Sequence, residues 1–329
     1  MAIKTWLTET IGVRIPVVQG GMMWVGRAEL TSAVANAGGL GFLTALTQPN
    51  PEALRQEIRR CRTLTNKPFG VNITMLPSIN APDYLGYARV AVDEGIKVIE
   101  TAGNPDPVLG FLKENNIIVI HKCVSLGHAL KAEAKGVDCI SIDGIECAGH
   151  GGEYDLTSMI LLGRCAQELK IPFIASGGFC DGKGLAAALI FGAQGINMGT
   201  RWMCTAESPV HWNVKEEIVR MDENSTVIVL RKLRNSTRLA KNNVSLEVHK
   251  IENSKLEMKF EEVAHLMAGA RGRKVFETGD TNAGVWSAGQ AAGLIKDIPT
   301  CAELSQRIER DAMEALSRAS ASFSNGARL

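Results

Sequence analysis

The residues best suited to chemistry stand at the ends of short apolar runs. Ile174–Phe179 reads IASGGF and Gly195–Thr200 reads GINMGT, so each run stops on glycine. A glycine lets a ligand approach the bare backbone, and a helix beginning just beyond it presents free N–H groups to an anion. Ser176, Gly177 and Gly178 together with Gly199 and Thr200 therefore form a candidate phosphate cradle, with a pair of tight turns as the structural alternative. Lys122 closes the run IIVIHKC. A cation at the end of a buried run needs a partner or a polar cavity. Asp143 and Glu146 are the candidate partners; beside an electron-rich ring, the same charge would stabilise negative charge that develops on reduction. His150 lies among the glycines of ECAGHGGE, in a loop and not in a packed pattern. Imidazole there can donate, accept or orient a substrate near neutral pH.

These residues need a frame that brings them to one place. Eight β-branched or apolar runs recur along the chain: PVVQGG, GLGFLTA, FGVNIT, KVIETAG, IIVIHKC, CISIDGIE, FIASGG and GINMGT. Between them lie segments such as PEALRQEIRRCRTL, with helical spacing of apolar residues and strong helix formers elsewhere. Strands alternating with helices give a parallel sheet, and eight units predict a closed (β/α)₈ TIM barrel, with an open doubly wound sheet as the competitor. In a barrel all the singled-out residues fall at the carboxyl ends of strands, where active sites are built. The texture then changes. Residues 207–273 are polar and charged and read as a helical insertion over one end of a barrel formed by 1–206, with 274–329 returning to it. The cluster Arg231, Lys232, Arg234, Arg238 and Lys241 reads as a solvated helix face or an anion contact.

Composition removes other classes. With 36 basic and 35 acidic residues the net charge is +1, so no global field favours nucleic acid or an anionic membrane. The first residues contain no continuous apolar segment, no run is long enough to span a bilayer, and a soluble cytoplasmic enzyme is expected. Eight scattered cysteines without a CxxC pair read as reduced core residues, and no metal ligand set emerges. There is no GxGxxG opening a βαβ unit, no GxxxxGK[ST] and no GxSxG elbow. A phosphate cradle, a lysine, backbone approach from the first strand and one loop histidine fit flavin mononucleotide (FMN) better than a phosphosugar, because few carboxylates are available for proton shuffling.

Seven stretches, QGGMMWVGRAELTSAVANAGGLG, PFGVNIT, VIHKC, SIDGIECAGHGGE, IASGGF, INMGTRW and GDTNAGVWSAGQ, resemble in order the FMN-dependent nitronate monooxygenases, formerly 2-nitropropane dioxygenases. The resemblance spans nearly the whole chain and is strongest toward the bacterial NADH:quinone reductase branch. It implies a TIM barrel with a smaller helical domain after strand eight, FMN at the carboxyl face and no metal. Gly21, Met22, Thr74, Lys122, Asp143 and Gly149 would meet the flavin ring and ribityl chain. Ser176, Gly177, Gly178, Gly199 and Thr200 would hold the phosphate, and His150 would face the substrate, so that His150 and Lys122 carry the catalysis. The implied cycle passes two electrons from NADH as co-substrate through FMN to a quinone. The alternative is oxidation of alkyl nitronates with molecular oxygen, and an enoyl-thioester reductase is a more distant relative. The helical domain and the loop MLPSINAPDY, with Ile79 where a polar residue is expected, would gate entry. Either a monomer or a homodimer fits.

Overall fold

The computed structural model describes residues 3–75 and 81–322; Ile79 lies outside them. Each apolar run becomes a strand. They are β1 (Val17–Gln19), β2 (Leu40–Thr44), β3 (Gly70–Met75), β4 (Val98–Gly103), β5 (Ile118–Cys123), β6 (Cys139–Asp143), β7 (Phe173–Ser176) and β8 (Ile196–Met198). All pair in parallel in chain order, and β1 closes on β8 with Val18 opposite Asn197. The closed TIM barrel excludes the open sheet.

Between the strands run α1 (Ala28–Asn36), α2 (Pro51–Leu64), α3 (Tyr84–Asp93), α4 (Asp106–Glu114), α5 (Leu126–Ala134), α6 (Ser158–Glu168) and α7 (Gly182–Ile190). Their starts obey simple capping chemistry: Asn50, Asp83, Ser125 and Asp181 each accept a backbone N–H of the first turn that has no helical partner.

Alternation along each strand sends side chains to two different places. The outward set, including Val71, Ile73, Val119 and Ile140, packs under the helices in the principal core. The inward set at the amino ends is separate: Val18, Leu40, Phe42, Val98, Ile120 and Ile174 cluster with Leu7 and Val13. The segment around Leu7–Ile11, a single π-helical turn, thus stoppers the barrel from below.

The eighth helix of the ring does not follow β8 directly. A short α8 (Thr200–Met203) leads into α9 (Trp212–Arg220), β9 (Thr226–Val229), β10 (Thr237–Ala240), α10 (Asn243–Asn253), α11 (Ala264–Met267) and α12 (Gly269–Thr278). Only then does α13 (Cys301–Ala321) fill the gap between α7 and α1. A Cβ at Gly182 would stand 2.6 Å from the Ala312 nitrogen, so α7 and α13 touch through backbone there.

The insertion departs from the expected all-helical texture. β9 and β10 form an antiparallel pair, Thr237 opposite Val229 and Ala240 opposite Thr226. The cause is local: TVIV is β-branched throughout, and Val227, Val229 and Leu239 belong to the insertion's own small core. Arg238 accordingly belongs to a buried strand and not to a solvated helix face. Its Nε donates to Ile145 O at 3.1 Å and its Nη1 to Thr226 Oγ1 at 2.9 Å. All eight cysteines are buried and unpaired, as expected of core thiols. Among the described residues, no helix is long and apolar enough to cross a membrane.

One buried group makes stability depend on pH. His121 on β5 pairs laterally with Thr101 on β4, with Nδ1 2.8 Å from the threonine hydroxyl. Burial, reinforced by the positive charges of Lys135 and His128, pulls its imidazole from 6.5 down to about 4. The unfolded chain therefore takes up this proton before the folded one does. The contribution is complete above about pH 6.5, is lost as pH falls toward about 4, and amounts to roughly 3 kcal/mol. Urea unfolding of wild type and His121→Asn across this window should show a stability difference that changes with pH; parallel curves would contradict the assignment.

Candidate functional site

The upper half of the barrel interior is polar where the lower half is apolar. Lys122, inward on β5, places Nζ 3.2 and 3.3 Å from the two carboxylate oxygens of Asp143 on β6. One layer below, on β4, Glu100 is completely buried. It accepts hydrogen bonds from Gly21 N–H at 2.7 Å, Asn72 Nδ2 at 2.8 Å and Asn197 Nδ2 at 3.0 Å. Asn197 Nδ2 also donates to Ser141 Oγ at 3.2 Å. Burial alone would lower the Lys122 pKa, but the negative charges of Asp143 and then Glu100 more than offset it, and the net shift is upward. The lysine stays an ammonium. Of the two carboxylates weighed for Lys122, Asp143 is thus the partner. Glu146 accepts the Ser158 N–H at 3.0 and 3.1 Å and its hydroxyl at 3.2 Å, pinning the loop after β6 to the start of α6.

The glycines after β7 adopt a conformation that other residues resist. Gly177 and Gly178 have φ of 82° and 85°, and a Cβ on Gly177 would lie 2.7 Å from Gly144 O. Gly177, Gly178 and Gly199 all line the open cavity, so a ligand there can approach their bare backbone. Thr200 Oγ1 accepts the Gly289 N–H at 3.0 Å, tying the end of β8 to the segment that leads into α13. Glycine backbone on two adjacent strand ends beside an open cavity fits the phosphate of a flavin nucleotide.

Every residue expected at the site lines one cavity of about 1330 Å³: Gly21, Met22, Thr74, Lys122, Asp143, Gly149, His150, Ser176, Gly177, Gly178, Gly199 and Thr200. At Gly21 a side chain would overlap the Asn72 carboxamide. Met22 is fixed by a reciprocal pair with Thr44, whose hydroxyl accepts its N–H at 2.9 Å and donates to its carbonyl at 3.1 Å. Thr74 donates to Asn72 Oδ1 at 3.2 Å.

His150 reaches solvent at the cavity mouth, on a loop strapped to the insertion. Gly149 and Arg238 exchange backbone hydrogen bonds at 2.9 and 2.7 Å, and Glu153 accepts Ser236 N–H at 3.0 Å and its hydroxyl at 2.6 Å. The enclosing walls draw the His150 pKa below 6.5, with Glu153 opposing. Cys147, buried in the same loop, has its thiol pushed up by burial and by Asp143, which removes it as a nucleophile.

Sequence reasoning missed three residues at the site. Glu100 carried the signal used for Lys122, a charge within an apolar inward run. Trp24 sits in the left-handed region at φ 67°, and the Arg273 guanidinium lies 4.7 Å from its ring centroid, joining the loop after β1 to α12. Trp286, in the cavity wall, keeps a buried Nε1 without a partner among the described residues. Neither tryptophan had a sequence signal. Among the described residues, no group of three or more His, Cys, Asp or Glu side chains is arranged to hold a metal.

A closed parallel barrel with charged groups and glycine backbone gathered at its carboxyl end is a frame on which a flavin-dependent oxidoreductase can be built. The nitronate monooxygenase family model matches residues 4–311, and the chain belongs to that family. It is 34% identical, over 98% of its length and 99% of the relative's, to the (3aS,4S,5R,7aS)-5-hydroxy-7a-methyl-1-oxo-octahydro-1H-indene-4-carboxyl-CoA dehydrogenase of Mycobacterium tuberculosis. It is 27% identical to the nitronate monooxygenase of Paraburkholderia phytofirmans, over 95% and 96% of the two chains. The structure of FabK from Thermotoga maritima superposes with a TM-score of 0.89 at 32% identity, covering 98% of this chain and all of that one.

The Lys122 pair is open to a thermodynamic check. Lys122→Met leaves two carboxylates inside the barrel without their cation and should cost roughly 3 kcal/mol in urea unfolding. Adding Asp143→Asn should recover part of that loss. A double variant no more stable than Lys122→Met would show the two side chains to be uncoupled.

Proposed function

We propose that this chain is an FMN-dependent oxidoreductase that exchanges two electrons with an acyl thioester of the coenzyme A type. The observation that carries the reading is the size and charge of the cavity. At about 1330 Å³ it exceeds the roughly 300–1,000 Å³ of a site for one small ligand. Its lining includes Lys131 on α5, Lys135 just beyond that helix, and Arg231 and Arg234 from the insertion, with Lys135 paired to Asp106 and Arg231 to Asp155. Once FMN has taken its share, a nitronate uses little of the remaining volume and none of the charge, whereas a phosphate-bearing co-substrate, an acyl thioester on its carrier or NADH, uses both. The carboxyl-CoA dehydrogenase name of the Mycobacterium tuberculosis relative supports the same substrate class.

The chain's own groups divide the work. The glycine backbone at Gly177, Gly178 and Gly199 would hold the cofactor phosphate, and Gly21 would let the ring approach the end of β1. When bound, FMN supplies hydride exchange with the carbon β to the thioester carbonyl. Lys122, held as a cation by Asp143, sets positive charge at the floor where electron density gathers. His150 takes or returns the proton at the α carbon, and its lowered pKa leaves it neutral and basic at pH 7. The β6 loop and the insertion together wall the side of the cavity where that exchange takes place.

The test is anaerobic rapid mixing of the FMN-loaded protein with butyryl-CoA, and of the dithionite-reduced protein with crotonyl-CoA. Loss of flavin absorbance in the first arm or its return in the second is the expected result. Bleaching by NADH with recovery on a quinone would instead make the chain an NADH:quinone reductase, and oxygen-dependent turnover of propyl nitronate a nitronate monooxygenase. In the thioester reaction His150→Ala should retain FMN and slow turnover by about a hundredfold or more. It should also abolish the acid limb of the pH–rate profile, which in wild type falls below the ordinary imidazole value of about 6.5.

A further inference from the structure

Glu100 is a carboxylate without solvent contact in a part of the barrel that an aliphatic side chain would fill more cheaply. The layer beneath it does use aliphatics, Val98 on the same strand and Ile120 on the next. Three N–H donors and no acceptor face Glu100, the complement of an ionised carboxylate. Each donor belongs to the wall of the cavity: Gly21 at the end of β1, Asn72 on β3 and Asn197 on β8. The position is set by register. Glu100 lies opposite Ile120 and Ala102 opposite Lys122, so Lys122 stands two residues, about 6.6 Å of strand rise, closer to the carboxyl end. The space around the carboxylate is reserved, since a Cβ at Gly20 would come within 3.1 Å of Glu100 Oε1 and 2.7 Å of Asn197 Oδ1.

We infer that Glu100 is a positioning residue with a second, electrostatic duty: it anchors the end of β1 at the cavity floor and supplies a fixed negative charge beneath the cofactor that holds the flavin's reduction potential down. The inference rests on the FMN reading above. A fully buried carboxylate acts over several ångströms with little screening, and negative charge opposes the arrival of electrons nearby. Lys122 acts in the opposite sense from the layer above. The potential of the site is then a balance between one cation and the two carboxylates that flank it in depth, with Asn72, Asn197 and the Gly21 N–H moderating the lower one.

The experiment is an anaerobic spectroelectrochemical titration of bound FMN, with FMN affinity measured alongside by fluorescence quenching. Glu100→Gln removes the charge at constant size and should move the potential to more positive values. Glu100→Asp keeps the charge but retracts from Gly21, and should weaken FMN binding about tenfold through loss of one charge-assisted hydrogen bond. Asn197→Ala leaves the carboxylate in place with one donor fewer, so the potential should move the other way, to more negative values; this variant decides the matter if Glu100→Gln does not fold. A purely structural Glu100 would not give shifts of opposite sign. Potentials equal to wild type in Glu100→Gln and Asn197→Ala would overturn the role of Glu100 alone. A wild-type chain that binds no FMN would overturn the cofactor reading and this inference with it.

Discussion

The structure is organised around the placing of charge inside a closed barrel, where solvent does not reach Glu100 and reaches Lys122 only in part. Lys122 is tolerable there because Asp143 meets it within ion-pair distance, and Glu100 because three N–H groups meet it in turn. Those requirements propagate outward. Positions 20 and 21 have no room for a side chain, and 72 and 197 supply amides where a barrel interior would otherwise carry branched apolar residues. Cohesion is left to the lower half of the barrel, stoppered by Leu7, and to the ring of helices outside.

The frame was legible because each strand is a short apolar run bounded by glycine or polar residues, a pattern that survives without any knowledge of contacts. The expected site residues were legible for a related reason: at the carboxyl end of a parallel strand, position along the run already says which way a side chain faces. Where the reading failed, it weighed charge above β-branching. VIVLRKLRNSTRLAKN was judged by its arginines and lysines, yet it opens on three consecutive β-branched residues, and Arg238 is drawn inward by the Ile145 carbonyl and the Thr226 hydroxyl. Glu100 was passed over because KVIETAG reads as a good strand. Partners that justify its burial come from β1, β3 and β8, and no local window contains them.

The insertion is more than a cover. Its hairpin continues into the loop after β6 through the Gly149–Arg238 pair, and Glu153 and Asp155 of that loop bind Ser236 and Arg231. The side of the cavity that carries His150 is thus built jointly by barrel and insertion, while the cradle and the lysine belong to the barrel. A family can keep the second and vary the first, which is how one fold and cofactor come to serve several substrates.

The last helix of the ring has a consequence for how the chain is made. Helix α13 closes the gap between α7 and α1, so the groove between those two helices stays uncovered until residues 301–321 have been synthesised. During vectorial emergence from the ribosome, seven-eighths of the ring precede the roughly hundred residues between α8 and α13, and an incomplete barrel must wait with apolar flanks bare. The barrel end of the chain is therefore committed by its final segment, a topology that slows folding and makes the nascent form a natural client for chaperones.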